Sequence, residues 1–358
     1  MSKAAELAKW GEVSTNGQVS GRRNIVYNGA MNVAQRSASV TGIGAAAGYF
    51  TVDRWKVSPS GTAGRLTMTQ TADGPTGFAN CLKLDCTTAD TSIAAGERLI
   101  VRQSFEGQDV QQIKKGTSDA EKVTVSFYVK GNATATYTCE LVDEDNNRYV
   151  AQEFSVTTSW TKIVKTFVAD TTGAFNDDNA HSMSLNIWLH AGSSFTGGTF
   201  ASNTVHATAN QRVGDNQTSF FDSTDRTFFL TGVQMEVGSQ ATPFEHRSYG
   251  EELALCQRYF QQLFSFQAYA SNTTTIQGSA ACIISMRATP TLSAGGALTV
   301  TDGAANYAQS SLSFGGTTGT LNGLAFNADN FSGLTQFRPC MNNSASTSVG
   351  SLAYSAEL

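Results

Sequence analysis

The sequence has few charged residues and no long apolar run. Lys, Arg, Asp and Glu make up 15% of the 358 residues, and the formal net charge is −5. A phosphate-binding surface needs clustered Lys and Arg, so we expect no nucleic-acid partner. No run approaches the roughly 18 apolar residues that a membrane span requires, so we expect no membrane insertion. The first ten residues lack the apolar core of a secretory leader, and no export signal is expected.

Cysteine and histidine are too scattered to form a metal centre or a disulfide framework. The six cysteines include no C-x-x-C pair, and the four histidines include no H-E-x-x-H. We therefore expect free, mostly buried thiols and no metal cofactor. The sequence also lacks G-x-S-x-G and G-x-x-x-x-G-K-[ST]. It predicts neither a serine nucleophile nor a nucleotide site, and we expect no enzymatic activity.

One acidic turn has part of the composition of a calcium loop. Asp143, Asp145 and Asn147 place oxygen atoms at alternate positions. Arg148 stands where such a loop needs glycine, and Phe154 stands where it needs glutamate. A solvated hairpin turn is the favoured interpretation, and the spacing gives a structural calcium no support.

The residues that are abundant favour short β-strands joined by turns. The 33 glycines accompany many Ser, Thr and Asn residues. Segments in which apolar and polar residues alternate recur at the spacing of a β-sandwich. They span residues 65–69, 81–86, 99–105, 122–130, 137–142, 149–156, 160–168 and 183–190. Residues 191–222 are rich in Gly, Ser, Asn and Thr, and they indicate a long connection or an outward loop.

A pivot at residues 228–263 separates two parts of the chain. Residues 228–238 alternate like a half-buried strand, which ends before Pro243. A helix is predicted from Tyr249 to Leu263, with an apolar stripe at helical spacing. The stripe comprises Leu253, Cys256, Phe260 and Leu263. Residues 264–358 then carry almost no charge and contain Gly-Gly, Asp-Gly and Asn-Gly turns, which indicates a second, smaller β domain ending in a strand at 351–358.

Two motifs carry a family resemblance. Asn24, Asn28-Gly29, Met31 and Gln35-Arg36 precede Tyr49 and Asp53-Arg54-Trp55, and the pivot reads GVQMEVGSQATPFEHRSYGEELALCQRYF. In order and spacing they resemble the signatures of a family of bacteriophage tail-fibre and minor virion proteins. One departure is Ser37, where glycine usually follows the Gln-Arg pair. The two motifs bracket residues 24–260, about two thirds of the chain.

The resemblance implies a jelly-roll β-sandwich like those of carbohydrate-binding modules. The expected fold is mainly β, with an attachment segment at 1–23, the sandwich at 24–248, a helical neck at 249–263 and a β domain at 264–358. We expect the motif residues to have structural roles, with Asp53-Arg54-Trp55 buried and the residues from Pro243 to Arg247 joining strand and helix. These residues are Asn28, Gly29, Gln35, Arg36, Asp53, Arg54, Trp55, Pro243, Phe244, Glu245 and Arg247.

The functional hypothesis is a phage tail fibre that attaches the virion to a host-surface glycan or receptor. It would be assembled in the bacterial host cytoplasm and held to other tail or virion proteins by its N-terminus. A homotrimer is expected, with the apolar stripe packed around a three-fold axis, because the distal domain has little charge for a monomer's surface. A capsid decoration protein and a glycan-degrading tailspike are the alternatives.

Receptor binding is predicted on turns of the distal domain. Gly295–Asp302, Gly315–Gly323 and Asn327–Gly333 would present adaptable, uncharged groups on a rigid scaffold. The candidate receptor-binding residues are Asn322, Asn327, Asn330 and Tyr307. In the alternative interpretation these turns only close hairpins, and the receptor contacts the long 191–222 segment or another protein.

Overall fold

The structure is a computed structural model that describes Lys3 and residues 22–263, 266–342 and 352–358. Of the predicted attachment segment 1–23, all but Lys3, Arg22 and Arg23 lies outside these residues. The chain divides into two compact units, one running to Ser248 and including Leu358, the other spanning Tyr249–Glu357. Within the described ranges, no helix has the length and apolar character to cross a membrane.

The first unit consists of two six-stranded antiparallel sheets. The front sheet contains, in spatial order, β1 (Ser39–Ile43), β4 (Arg65–Thr71), β5 (Cys81–Thr88), β12 (Thr227–Val237), β7 (Val123–Gly131) and β10 (Thr161–Phe167). The back sheet contains β2 (Gly48–Tyr49), β3 (Lys56–Ser60), β6 (Arg98–Glu106), β11 (His181–Ala191), β8 (Ala135–Asp143) and β9 (Arg148–Val156). From β5 onward the chain crosses repeatedly between the sheets, as in a jelly roll. The prediction of a mainly β, jelly-roll fold is confirmed.

The strands form because every second residue packs into one core between the sheets. In β7, Val125, Phe127 and Val129 point inward and are fully buried. They face residues such as Leu185 and Ile187 of the back sheet within the same cluster. Each alternating segment that the sequence predicted between residues 65 and 190 lies on one of these strands, with ends that agree to within two residues.

The outer face of the back sheet is covered by the 191–222 segment. This segment contains two short helices, Ser193–Thr196 and Ala209–Gln211. Its Phe195 and Val213 form an apolar cluster with Trp188 of β11. Arg212 donates two hydrogen bonds, of 2.6 and 2.8 Å, to the fully buried carboxylate of Glu140. The segment is therefore packed onto the sheet as a cover. Elsewhere in the unit, a short helix at Gly107–Val110, continued by Gln111–Ile113, follows β6.

The prediction of a half-buried strand at 228–238 is wrong, because β12 is buried on both faces. Every residue from Phe228 to Glu236 is buried. The pairing of β12 with β7 shifts register between Thr231 and Gln234, so Leu230 and Val233 both face the core. A simple alternation does not anticipate this bulge, which changes the face of every residue beyond it.

An N-terminal strap, residues 24–30, completes the pairing of β12. Strand β5 pairs only with Thr227–Leu230. Beyond that point, Ile25 N donates to Met235 O and Val233 N donates to Gly29 O, both at 2.9 Å. The Asn24 side chain accepts from Met235 N at 3.1 Å and donates to Val233 O at 3.2 Å. The two family-like motifs, about 200 residues apart in sequence, are thus hydrogen-bonded neighbours.

Glu245 and Arg247 hold the strap from the other side. The Glu245 carboxylate accepts from the backbone N–H groups of Arg23 and Asn24 at 2.8 and 2.6 Å. Glu245 N donates to the side chain of Gln234 at 2.8 Å. The Arg247 guanidinium donates to backbone carbonyl oxygens of the strap, including that of Asn24. These bonds join the end of the second motif to the start of the first.

The Asp53-Arg54-Trp55 triplet lies in the interior. Trp55 is fully buried in the core, and its indole N–H donates to Asn28 O at 3.2 Å. The Asp53 carboxylate accepts from Gln35 N at 3.1 Å and from Arg36 at 3.3 Å. Arg54 has a positive φ of 70° and lies buried among backbone groups of the unit. Its guanidinium donates to Ser104 O at 2.7 Å.

The second unit contains a three-stranded and a seven-stranded antiparallel sheet around a separate core. The smaller sheet has the order β13 (Phe260–Leu263), β22 (Leu352–Ser355) and β16 (Thr291–Ala294). The larger has the order β18 (Asn306–Ala308), β17 (Thr299–Thr301), β21 (Pro339–Asn342), β14 (Gln267–Ala270), β15 (Ile276–Ala281), β20 (Gly323–Ala328) and β19 (Phe314–Thr320). The strand expected at the end of the chain is present as β22.

The predicted helix from Tyr249 to Leu263 is too long. The helix ends at Gln257, and Phe260–Leu263 form β13, which pairs with β22. The stripe therefore does not lie on one helix, and its Cys256, Phe260 and Leu263 are already buried within a single chain. Its proposed packing around a three-fold axis is wrong in this form. The homotrimer itself stays a prediction.

We predict that Gly29→Ala disrupts docking of the strap. A Cβ atom at Gly29 would lie 2.1 Å from Val233 O, the backbone of the strand on which the strap docks. Neither backbone can move without losing the Val233 N–Gly29 O bond, so the free energy of unfolding should fall by about 3 kcal/mol. Gly96→Ala is the matched control, since a Cβ there meets nothing within 4 Å. Urea unfolding measures both, and equal stabilities would contradict the role of the strap.

Candidate functional site

The predicted receptor-binding residues of the second unit are not all brought together. Asn322 lies in the β19–β20 connection and accepts a hydrogen bond from Ser285, whereas Asn330 follows the other end of β20. Seven residues of nearly extended chain lie between the two asparagines, and the eight residue steps correspond to roughly 25 Å. Tyr307 lies on the edge strand β18, where its hydroxyl donates to Asp302 at 3.2 Å.

All three of the predicted distal turns are partly strand. Gly315 and Gly316 lie inside β19, so the Gly-Gly pair does not make a turn there. Asn327 lies inside β20 and faces a shallow concavity of about 530 Å³ with Tyr269 and Phe326. Residues 299–301 of the first predicted turn form β17. Gly-rich sequence forms strand here because neighbouring strands supply hydrogen bonds that local propensity does not reveal.

A larger concavity lies on the outer face of the front sheet, within the first unit. Its cavity volume is about 1090 Å³, and we call it the groove. Strands β7, β10 and β12 form its floor, and the segments before β5 and after β12 form its walls. The lining residues are Arg23, Thr76, Gly77, Phe78, Ser126, Tyr128, Lys162, Gly232, Gln240, Ala241, Thr242, Pro243, Phe244 and His246.

Four rings pack together along the groove. Phe78 is in contact with Tyr128, Phe244 and His246, with ring centroids 5.4, 4.9 and 5.3 Å away. Phe244 and His246 meet edge to face at 4.8 Å. The Phe78, Tyr128 and Phe244 side chains are only half-buried, and His246 is exposed. The rings support each other while leaving aromatic surface accessible in the groove.

Gly232 allows this cluster to form. It has a positive φ of 60° at the bulge of β12, a conformation that favours glycine. A Cβ atom at this position would lie 2.7 Å from the Phe78 ring and 2.9 Å from the Tyr128 ring. The bulge that turns the Val233 side chain toward the core thus also brings the Phe78 and Tyr128 rings close to the backbone of β12.

The outer face continues into a second aromatic contact. Trp160 and Phe229 meet edge to face, with ring centroids 6.1 Å apart. The Lys130 ammonium lies 4.5 Å from the Phe229 centroid and 5.2 Å from the Trp160 ring, and Lys83 lies 5.5 Å from Phe229. This face of the front sheet therefore combines aromatic rings and cations. Arg212 also lies over the Trp188 ring at the back sheet, 5.0 Å from its centroid, but there the 191–222 segment covers the ring.

The sequence contains one signal for this groove. Tyr128 belongs to the alternating strand at 122–130, on the face opposite Val125 and Phe127. An aromatic residue on the polar face of a strand often marks a binding surface. Phe244 was predicted as part of a structural motif, and it also lines the groove. Phe78 comes from a third segment, and the sequence gives no indication that these rings meet.

The acidic turn at 143–147 is engaged by a lysine. The Lys115 ammonium lies within ion-pair distance of Asp143 and 3.1 Å from Asp170, and all three side chains are largely buried. Burial alone would raise the pKa of the Asp170 carboxyl, but hydrogen bonds from Arg148 and Lys115 lower it overall. No group of three or more potential metal ligands occurs in the part of the chain described. The oxygen atoms of Asp143 thus have a cationic partner from the chain itself.

Another arrangement has the residue types of a catalytic triad. His190 Nδ1 lies 2.8 Å from Ser219 Oγ, and His190 Nε2 lies 3.2 Å from the Glu97 carboxylate. Ser219 Oγ also accepts from Phe221 N at 3.1 Å. Burial lowers the pKa of His190 despite its hydrogen bond to Glu97. None of these residues lines the groove or the distal concavity, so we assign the contacts to anchoring the end of the 191–222 segment.

Of the comparisons with known proteins, only the one with solved structures finds similar proteins. No protein-family model and no curated protein matches the chain. Similar solved structures include a CBM4 structure (12% identity, TM-score 0.32, covering 59% of this chain and 97% of that one). A family 11 carbohydrate-binding module from Clostridium thermocellum, in complex with a beta-1,3-1,4-mixed-linked tetrasaccharide, is 11% identical with a TM-score of 0.29 over 53% of this chain and 91% of that one. At these values the alignments carry no argument about ligand or function.

We predict that Gly232→Ala disorders the aromatic cluster of the groove. The new methyl group would displace the Phe78 and Tyr128 rings, and it would also strain a backbone at positive φ. Near-ultraviolet circular dichroism should lose aromatic signal, and stability should fall by about 2 kcal/mol. Gly42→Ala is the control, because Gly42 has a φ of 77° but open space around its Cβ position. If both variants keep the wild-type spectrum, Gly232 does not set the ring positions.

Proposed function

We propose that this chain is a glycan-binding protein of a phage virion, and that the groove of the front sheet is its glycan-binding site. One observation carries the binding proposal: half-buried aromatic rings from three separate segments converge in an open groove on the exposed outer face of the sandwich. Converging rings with a few polar groups are typical of a ligand site.

The chemistry of the groove suits a sugar chain. Sugar rings have apolar C–H faces that pack against aromatic rings, and their hydroxyl groups need both donors and acceptors. Tyr128 supplies a hydroxyl beside its ring, and Ser126, Thr76 and Gln240 add further polar groups along the lining. An open groove of about 1090 Å³ has room for several sugar units of a longer polysaccharide.

Binding without cleavage is the form of the proposal that the lining favours. Glycoside hydrolysis generally uses two carboxyl groups that flank the scissile bond. The described residues that line the groove include no Asp and no Glu. At this site we therefore favour a binding protein over a glycan-degrading tailspike.

The place in the virion is inferred from the two sequence motifs. Their resemblance to tail-fibre and minor virion proteins supports a tail fibre that attaches the phage to a host-surface glycan. In this proposal the N-terminal segment 1–23 binds other tail proteins. A homotrimer would increase the strength of attachment, because its linked sites bind one surface together. A capsid decoration protein would use the same sandwich, and electron microscopy of virions carrying a label at the C-terminus distinguishes the two positions.

We predict that Tyr128→Ala weakens glycan binding at least about tenfold, because it removes an aromatic ring from the groove floor. The measurement is binding of fluorescently labelled protein to an array of purified bacterial capsular, exopolysaccharide and lipopolysaccharide glycans. Tyr269→Ala makes the same substitution at the distal concavity and tests the rival location. Thermal unfolding of both variants verifies that they are folded.

The two tyrosine variants separate the two locations. Loss of binding in Tyr128→Ala with wild-type binding in Tyr269→Ala supports the groove. The reverse result would move the site to the distal unit, and wild-type binding by folded Tyr128→Ala would refute the groove as the site.

A further inference from the structure

We propose that the groove selects an anionic polysaccharide, one whose sugar units carry carboxylate or phosphate groups. This inference rests on the proposed glycan-binding function and names the chemical class of the glycan. It follows from the charges of the groove, which differ in sign from those of the chain. The chain has a formal net charge of −5, whereas the described groove lining contains the cations Arg23 and Lys162 and no carboxylate.

Lys162 is the cation best placed to contact a ligand. In the pairing of β10 with β7 it lies directly opposite Tyr128, so both side chains stand on the same face of the sheet. Its side chain is exposed, and it forms no salt bridge with any carboxylate in the described ranges. An ammonium group beside an aromatic ring can bind an acidic substituent while the sugar ring packs on the tyrosine.

Arg23 provides a second, more firmly positioned cation. Its guanidinium donates to Thr242 Oγ1 at 3.1 Å and lies 3.5 Å from Pro243 O. Both partners are neutral, so these contacts position the guanidinium in the wall without cancelling its charge. A guanidinium has five N–H donors, more than these two contacts use, and carboxylate and phosphate oxygens suit such donors well.

The acidic residues nearest the groove are engaged elsewhere. The Glu245 carboxylate accepts from the backbone of Arg23 and Asn24. Glu236 is fully buried and accepts from Thr242 N at 2.9 Å and Thr242 Oγ1 at 2.7 Å. Asp73 forms a 2.7 Å ion pair with Lys130. The oxygen atoms of these carboxylates are thus occupied by hydrogen bonds or an ion pair, and none of the three residues lines the groove. The charged side chains that do line it, Arg23 and Lys162, are both cations and complement an acidic sugar chain.

The test compares each glycan that binds on the array with its chemically neutralised form. Carboxyl reduction converts uronic acids to neutral sugars, and cold hydrofluoric acid removes phosphate. The two treatments therefore identify which anionic group the protein recognises. The protein variants are Lys162→Gln, Lys162→Arg and Tyr128→Ala. Lys122→Gln is the matched control. Lys122 is also exposed but does not line the groove, so the substitution removes the same charge from a different place.

We expect the wild-type protein to bind the native acidic glycan at least about tenfold more tightly than its neutralised form. Lys162→Gln should weaken binding about fivefold, which is the effect of losing one partly exposed ion pair. Lys162→Arg and Lys122→Gln should bind like the wild type. Binding should also weaken as NaCl is raised from about 0.05 M to about 0.5 M, because salt screens exposed charges.

Three results would overturn the inference, and they are distinguishable. Equal binding of native and neutralised glycan, with loss only in Tyr128→Ala, refutes charge selection but leaves the glycan site intact. A preference for the acidic form that Lys162→Gln does not reduce places the charge recognition elsewhere. Binding that Tyr128→Ala leaves unchanged, or no binding to any arrayed glycan, contradicts the proposed function and the inference with it.

Discussion

The first unit depends on burying the polar face of β12. This strand is central in the front sheet, and its Thr231, Gln234 and Glu236 are fully buried although each carries a hydrogen-bonding group. A buried polar group without a partner costs roughly 1–3 kcal/mol, and a buried charge costs more. The segment after β12 supplies partners for two of them, since Glu236 accepts from Thr242 and Gln234 accepts from Glu245 N, and Thr231 donates to Asn80 O. The strap supplies the partners of the strand's backbone at Val233 and Met235. The two sequence motifs are best understood as the halves of this hydrogen-bonded closure.

That closure also explains why the groove lies where it does. The segment that covers the end of β12 carries Phe244 and His246, and the bulge at Gly232 lets Phe78 and Tyr128 approach the strand. Structural and ligand-facing residues therefore alternate along one short segment. On the opposite sheet, the 191–222 segment occupies the outer face and its Arg212 neutralises the buried Glu140. Of the two outer faces, the front one keeps accessible rings.

The sequence predicted the strands well because each one obeys a local rule. Residues 122–130, for example, alternate between core and surface, and β7 follows that pattern. The errors arose where distant pairing overrides local preference. Phe260–Leu263 continue a helical pattern but pair with residues about 90 positions later, and Gly315-Gly316 read as a turn but are held in β19. The face of Val233 was missed because one bulge shifts the alternation.

The candidate site could not be assembled from the sequence for a related reason. Its rings come from residues 78, 128 and 244, and only the order of strands in the front sheet makes them neighbours. The distal asparagines were chosen by composition and turn pattern, which describe each loop separately. Composition did indicate that the chain as a whole is acidic, and it could not show that one concave surface has the opposite charge.

We propose that a glycan contacts the outer face of the front sheet. Hydrogen–deuterium exchange of the full-length protein, with and without a polysaccharide that it binds on the array, tests this claim most directly. We predict slower exchange in peptides covering residues 74–80, 126–130 and 239–247 and unchanged exchange in residues 295–302 and 315–333. Protection confined to the distal residues, or to residues 191–222, would contradict it.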